Sequence, residues 1–248
     1  CRPLPSPLTF YILLVCPSLF KRTVDRVMAP GFAEPTVITG EDYRFIAQKQ
    51  MTEMQAICGA LIVEPEGRNT APAVLTAALV HKDTPDKVLL VVPSDHQITD
   101  DRTFRQVIAK AARVAEKGLI VTLGIKPDHA ATGFGYLRVE GGNDDALMIS
   151  QFAEKPDADT AAAMLEEGNW LWNAGMFLFR VDTALKAFET HAPDLIGPTE
   201  AALALGAEDF GFTRLNAEAY KRCAEISFDT ADTGNNQERE DEPAAGGR

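Results

Sequence analysis

The sequence lacks the cysteine content and spacing of a disulfide scaffold or a zinc site. Its four cysteines are far apart, with no CxxC pair and no cluster of cysteine and histidine. We therefore expect reduced thiols and a cytoplasmic protein. No GxGxxG pattern follows a predicted strand, which disfavours a dinucleotide-dependent oxidoreductase.

Positive charge is also scarce. The chain holds 24 lysines and arginines against 36 aspartates and glutamates, so its net charge is −12, and its isoelectric point is about 4.8. This balance disfavours a protein that wraps nucleic acid or binds anionic membranes. A small anionic substrate can still bind to a local positive pocket on such a chain.

A long hydrophobic run is missing as well. The apolar segment at residues 8–16, LTFYILLVC, falls far short of the ~20 residues that a transmembrane helix needs. No small-residue cleavage site follows it, because Cys16-Pro17-Ser18 comes next. We therefore favour a buried first strand at residues 8–15 over a signal peptide.

The residues that are present form an alternating pattern of short β-branched runs and amphipathic stretches. The chain has 248 residues, of which 46% are hydrophobic and 24% charged, as in an ordinary globular protein. The run KVLLVVP at residues 87–93 is typical of a strand covered on both faces, and a helix is expected at residues 102–117. This alternation predicts a doubly wound α/β fold with a mostly parallel sheet.

The pattern changes after about residue 130. Strands are expected at residues 134–139 and 147–153, joined by a hairpin turn, then a strand at 175–180 and helices from 181 to about 223. We expect these elements to form a small β-hairpin and helical part beside the core. The polar stretch at residues 232–248 has no apolar period and predicts a disordered tail.

Candidate functional residues follow several of the predicted strands, where ligands bind in such folds. Asp95 follows the most buried strand within the segment PSDH. A single carboxylate there can bind Mg²⁺, which often takes one or two carboxylates plus substrate phosphates. The alternative is a carboxylate that only caps a turn.

The loop EPEGRNTAP at residues 64–72 lies between a predicted strand and a helix N-terminus, so it can bind a base or phosphate. A plain turn capped by Thr70 is the alternative. Glu154 and Lys155 can hold a hydroxyl and a phosphate, or form a solvated ion pair. Asn173 precedes an apolar strand, and Gly135 allows close backbone approach or only a turn.

In combination and in order, the segments PSDH, TGFGYL, FAEKP and WNAGMFLF resemble the sugar-nucleotide pyrophosphorylases. The segments EPEGRNTAPA and SLFKRTVDRV narrow the resemblance to the bacterial mannose-1-phosphate guanylyltransferases. The resemblance extends over residues 17–231 and implies a Rossmann-like nucleotidyltransferase domain at residues 1–231. It also implies an enzyme of polysaccharide biosynthesis that binds GTP and mannose 1-phosphate and forms GDP-mannose and pyrophosphate.

The resemblance implies a role for each matching residue. Asp95 would help to hold the catalytic Mg²⁺, and Lys155 would contact the sugar phosphate, so both are catalytic candidates. The implied sugar contacts are Glu154, Asn173 and Gly135. The residues implied to border the guanine nucleotide are Glu64, Arg68, Asn69 and Thr70.

The resemblance fails at both ends of the chain. The family begins with a glycine-rich loop that cradles the triphosphate, whereas residues 1–16 contain no glycine and no lysine. The family supplies a second metal carboxylate from a Trp-x-Asp-Val-Gly-x-Trp motif, which residues 232–248 do not contain. We therefore expect frameshift or truncation at both ends, and weak or no guanylyltransferase activity. We also expect this protein to lack the mannose-6-phosphate isomerase domain of bifunctional relatives.

Other readings stay open. A catalytically inactive module that binds a sugar nucleotide, with a regulatory role, is the main alternative. An α/β protein whose loops match by chance is disfavoured, because four ordered motifs would have to coincide. The sequence leaves homo-oligomerisation open.

Overall fold

The computed structural model describes residues 18–142 and 146–229. The helices are α1 (Leu19–Val27), α2 (Arg44–Glu53), α3 (Thr70–Val80), α4 (Asp101–Ala115), α5 (Ala158–Glu167), α6 (Val181–His191), α7 (Pro193–Ala204) and α8 (Ala217–Tyr220). The strands are β1 (Thr36–Gly40), β2 (Ala60–Glu64), β3 (Val88–Val91), β4 (Val121–Ile125), β5 (Tyr136–Gly142), β6 (Leu147–Ala153), β7 (Trp170–Arg180), β8 (Ala207–Asp209) and β9 (Phe212–Arg214). A 3₁₀ turn at Glu41–Tyr43 joins β1 to α2.

One sheet has the strand order β1-β2-β9-β8. Strand β2 is parallel to both β1 and β9, and β9 is antiparallel to β8. The side chains of Leu61, Ile62 and Val63 are buried, as expected for a central strand. Strands β8 and β9 lie within the region predicted to be helical, so that part of the prediction was wrong. Each has only three residues and no apolar run.

The second sheet is built around β7, the long strand that contains the segment WNAGMFLF. Strand β7 is antiparallel to β3, β4 and β5, and β6 pairs with the far edge of β5. It begins five residues before its predicted start, at Trp170 instead of Gly175. The α/β class is confirmed, and the sheets in residues 18–142 and 146–229 are mixed, with parallel pairing confined to the first sheet.

Helix starts follow the capping residues. The Ser18 side chain accepts a hydrogen bond from the Lys21 backbone N–H at 3.2 Å, so Ser18 is the N-cap of α1, as its residue type and place before an amphipathic stretch predict. Helix α3 is capped by Asn69, whose Oδ1 accepts from the Thr70 N–H at 2.8 Å, so Thr70 is the first helical residue and not the cap.

The largest hydrophobic core spans both sheets, since it contains Ile62 from β2 and Phe179 from β7. Phe228 is 1% exposed in this core, and its ring lies 4.9 Å from that of Phe177 and 5.7 Å from that of Phe188. This packing anchors the last described residues, 226–229, against β7.

Some predictions fall outside the described residues. They are the strand at residues 8–15, the turn residues Asn143 and Asp144, and the tail at 232–248. The division into a domain at residues 1–231 and a tail therefore stays a prediction. Within residues 18–142 and 146–229, every helix is too short or too polar to cross a membrane.

Candidate active site

The structure brings together three residues predicted to contact the sugar. Gly135 precedes β5, Glu154 follows β6, and Asn173 lies in β7. The Asn173 backbone N–H donates to the Gly135 carbonyl at 2.8 Å. A Cβ on Gly135 would lie 3.1 Å from Glu154 Oε2 and 3.0 Å from the Phe152 ring. A side chain at this position would therefore require the Glu154 carboxylate and the Phe152 ring to shift by a few tenths of an ångström.

The Asn173 side chain is held from several directions. Its Oδ1 accepts from the Gly175 N–H at 3.0 Å, and the Thr122 hydroxyl lies at the same distance. Its Nδ2 donates to Asp229 Oδ1 at 2.6 Å. Because an amide has a donor end and an acceptor end, these contacts define which way it points.

Asp229 is a residue that the sequence reasoning missed. Burial is the main influence on its carboxyl group and raises its pKa, and the hydrogen bond from Asn173 opposes that rise. The negative charge of Glu154 raises the same pKa further. The available signal was the segment ISFDTA, which matches the family but suggested no role.

Lys155 lies beside these groups, and its Nζ is 3.2 Å from Glu154 Oε1. Both side chains are at least half exposed, and the Lys155 backbone has φ +43°. An exposed ion pair of this kind contributes little to stability. A phosphate group can therefore replace the carboxylate as the partner of Lys155 without a large cost.

The predicted nucleotide-binding residues form a second group at the end of β2. Glu64 accepts a hydrogen bond from the Tyr220 hydroxyl. Burial raises the pKa of Glu64. Burial and the negative charge of Glu64 together raise the pKa of Tyr220. The Arg68 guanidinium is paired with Glu66 at 2.6 Å and donates to the Cys223 carbonyl at 3.4 Å.

Residues 226–229 connect these two groups. The Thr70 hydroxyl accepts from the Phe228 N–H at 2.8 Å, and the Ala71 N–H donates to the Ile226 carbonyl at 3.1 Å. The next residue after Phe228 is Asp229, which holds Asn173. One short segment therefore touches both the predicted nucleotide side and the predicted sugar side.

Asp95 lies beyond the end of β3 with its side chain 52% exposed, and His96 Nε2 is 4.0 Å from its Oδ1. Pro93 of the same loop is 3.8 Å from the position of a Cβ on Gly175, so this loop lies against β7 near Asn173. No group of three or more possible metal ligands occurs in the part of the chain that the structure describes. A single accessible carboxylate suits Mg²⁺, which takes its remaining ligands from water and phosphates.

A tryptophan next to Asn173 also went unnoticed in the sequence. The Trp172 ring packs against His129 and Phe134, with centroids 4.9 and 5.0 Å away. Its Nε1–H is buried without a hydrogen-bond partner among the described residues. The signal was its position in the segment WNAGMFLF.

Comparisons with known proteins agree with this arrangement. The chain is 38% identical over 222 residues to the mannose-1-phosphate guanylyltransferase of Escherichia coli, covering 86% of this chain and 46% of that protein. It is 40% identical over 220 residues to the Sinorhizobium fredii protein of the same name, covering 86% and 43%. The chain thus spans less than half the length of these curated relatives, and the resemblance drawn from the motifs is confirmed.

A solved structure matches over almost its whole length. The crystal structure of mannose-6-phosphate isomerase from Helicobacter pylori aligns with a TM-score of 0.82 at 28% identity, covering 93% of this chain and 90% of that chain. Residues 7–229 match the family model of the nucleotidyl transferases. The chain belongs to the nucleotidyl transferase family.

Proposed function

We propose that this chain transfers a guanylyl group from GTP to mannose 1-phosphate, forming GDP-mannose and releasing pyrophosphate. The observation that carries the proposal is the meeting of Gly135, Glu154 and Asn173 beside Lys155. The relatives named mannose-1-phosphate guanylyltransferase support the choice of substrates.

The sugar side offers acceptors for hydroxyl groups and one cation for the phosphate. The Glu154 carboxylate accepts hydrogen bonds from sugar hydroxyls, and Lys155 faces the sugar phosphate. The phosphate oxygen of mannose 1-phosphate is already an anion, so the attack on the α-phosphorus of GTP needs little acid–base catalysis. Two unit charges about 4 Å apart interact by about 4 kcal/mol at an effective dielectric constant of about 20. Neutralising this repulsion is the main task of Lys155.

The nucleotide side combines a helix N-terminus with a carboxylate. Thr70 begins α3, and the positive end of that helix favours negative charge nearby, while its first N–H groups are bonded to Asn69 Oδ1 and to the Ile226 carbonyl. A carboxylate accepts about four hydrogen bonds, of which Tyr220 supplies one to Glu64. Guanine presents N–H groups from which the Glu64 carboxylate can accept hydrogen bonds, whereas the corresponding edge of adenine presents a hydrogen-bond acceptor. Asn69 and Arg68 border the same loop.

Asp95 would hold Mg²⁺ together with the substrate phosphates. When bound, this ion would supply positive charge to the oxygens of the transferred phosphate. Asp95 is suited to this role because its carboxylate is accessible and lies on the loop that touches β7.

The test is pyrophosphate release by the whole chain with GTP, mannose 1-phosphate and Mg²⁺, compared with ATP and glucose 1-phosphate. We expect Lys155→Gln to lower turnover about 100-fold, as loss of one transition-state contact does elsewhere. The exposed Lys186→Gln is the matched control and should leave turnover unchanged, since Lys186 lies on α6.

The same assay separates the alternatives. Binding of GDP-mannose without turnover would favour the inactive sugar-nucleotide-binding module, and absence of both binding and turnover would contradict the proposal. The weak activity predicted from residues 1–16 and 232–248 stays a prediction, which turnover at the rate of the longer relatives would refute.

A further inference from the structure

We propose that Asp229 is a positioning residue for sugar recognition, because its carboxylate sets the orientation in which the Asn173 amide meets mannose 1-phosphate. This inference rests on the proposed function. It assigns Asp229 an action through Asn173, and not a direct contact with the reacting atoms.

The donors and acceptors around Asn173 show how Asp229 and the Gly175 N–H together set the orientation of the amide. The two ends of an asparagine amide have nearly the same shape, so only hydrogen bonding distinguishes them. The Thr122 hydroxyl has a single proton and lies 3.0 Å from Asn173 Oδ1 and 3.1 Å from the Met176 carbonyl, so it can serve either acceptor. The Gly175 N–H is a donor and fixes Oδ1 at one end. The Asp229 carboxylate is an acceptor and fixes Nδ2 at the other.

The Asp229 carboxylate is itself held in place. Phe228 is buried among aromatic rings of the core, and its N–H is bonded to the Thr70 hydroxyl. The bond from Asn173 Nδ2 to Asp229 Oδ1 measures 2.6 Å. Without Asp229, the Nδ2 end of Asn173 loses its acceptor, and the Gly175 N–H at the Oδ1 end is left to hold the amide with the Thr122 hydroxyl.

Asp229 is connected to the sugar side of the site through Asn173. The charge of Glu154 acts on Asp229, and the Asn173 backbone N–H is bonded to Gly135, which touches Glu154. The orientation of Asn173 therefore matters where the sugar hydroxyls would bind. The nucleotide binds to the β2–α3 loop, so its affinity should depend far less on this amide.

The experiment compares three substitutions in the whole chain by calorimetric titration with mannose 1-phosphate and, separately, with GTP. We expect Asp229→Ala to weaken mannose 1-phosphate binding about tenfold, the effect of losing a hydrogen bond to a charged group. Asp229→Asn keeps an acceptor oxygen at the same position, so we expect it to bind within about threefold of the unaltered chain. GTP affinity should change by less than about twofold in both.

Asp229→Glu keeps the charge but moves it by one methylene group, so it should lose about as much affinity as Asp229→Ala. This variant decides the matter if Asp229→Ala does not fold. The exposed Asp83→Ala is the control and should bind like the unaltered chain, and thermal unfolding should report the stability of every variant.

An equal loss of mannose 1-phosphate affinity in Asp229→Asn and Asp229→Ala would overturn the inference. It would show that affinity depends on the charge of Asp229 and not on its acceptor oxygen. Equal weakening of GTP and mannose 1-phosphate binding would also overturn it, since that indicates a purely structural role. Unchanged mannose 1-phosphate affinity in Asp229→Ala or Asp229→Glu would overturn only this inference. Failure of the unaltered chain to bind mannose 1-phosphate would overturn the proposed function together with it.

Discussion

At the scale of single residues, the site depends on a few carboxylates whose surroundings differ. Glu64 is partly buried and bonded to Tyr220, and burial raises its pKa above the ordinary value of 4.5. Glu154 is half exposed and paired with Lys155. The first is costly to ionise, whereas the second stays solvated.

The raised pKa of Glu64 predicts a pH-dependent effect of Glu64→Gln. Folding favours the protonated form, so the stability due to Glu64 is fully present below about pH 4.5 and is lost as pH rises through the raised pKa. Glutamine cannot ionise and still accepts from Tyr220. The variant should therefore gain stability relative to the unaltered chain as pH rises.

Urea unfolding between about pH 4 and pH 8 measures this difference. The exposed Glu218→Gln serves as the control and should show no such trend. A stability difference that stays constant over this range would contradict the prediction.

Gly135 allows a second residue-scale prediction. Its added Cβ would lie 3.0 Å from the Phe152 ring and 3.1 Å from Glu154 Oε2. Gly135→Ala should displace Glu154, lower stability by about 1 kcal/mol and weaken mannose 1-phosphate binding about tenfold. The matched control is Gly133→Ala, whose Cβ would have no atom within 4 Å. Calorimetric titration of both variants checks the prediction, and equal affinities would contradict it.

At the scale of elements, residues 226–229 connect the two halves of the candidate site. Phe228 fills the core, while its N–H binds Thr70 and the following Asp229 binds Asn173. The position of this segment depends on the residues that it contacts. Because this segment contacts both β7 and α3, we expect a single core substitution to affect both the proposed sugar side and the proposed nucleotide side.

We expect Phe228→Ala to lower the free energy of unfolding by about 3–5 kcal/mol, because it opens a cavity among aromatic rings. The same change should weaken the binding of both GTP and mannose 1-phosphate. Phe210 is 84% exposed, so Phe210→Ala should cost less than about 0.5 kcal/mol and leave binding unchanged. Denaturant unfolding and titration of the two variants check this, and similar losses in both would argue against the anchoring role.

At the scale of the whole molecule, the acidic chain carries the site that we propose binds two anions. The net charge of −12 supplies no general attraction, and the cations Lys155 and Arg68 are already paired with Glu154 and Glu66. We therefore expect a bound phosphate group to replace Glu154 or Glu66 as the partner of Lys155 or Arg68. Both halves of this site are attached to one core that includes residues of both sheets.

A shared core predicts cooperative unfolding. The two tryptophans, Trp170 and Trp172, both lie in β7, so their fluorescence reports the second sheet, whereas far-ultraviolet circular dichroism reports all elements. We expect the two signals to change at the same denaturant concentration. Separate transitions would show that the two sheets unfold independently.

Much of this molecule follows from short stretches of sequence. The apolar run ALIVE predicts β2 with its observed bounds, and Leu147–Ala153 is likewise confirmed as β6, because hydrophobic patterning is a local property of the sequence. The cap at Ser18 is local as well. The resemblance of PSDH, FAEKP and WNAGMFLF to a family also needs no structure, since each motif is a contiguous segment.

The sequence by itself therefore determined the α/β class, most helices and strands, and the set of candidate residues. Only the tertiary structure decided that β7 runs antiparallel to its neighbours, that the short β9 extends the first sheet, and that Asp229 holds Asn173. These features pair residues that are far apart in the chain, 56 positions in the case of Asn173 and Asp229. Such pairing depends on how the whole core packs, and no local pattern of hydrophobicity or propensity encodes it.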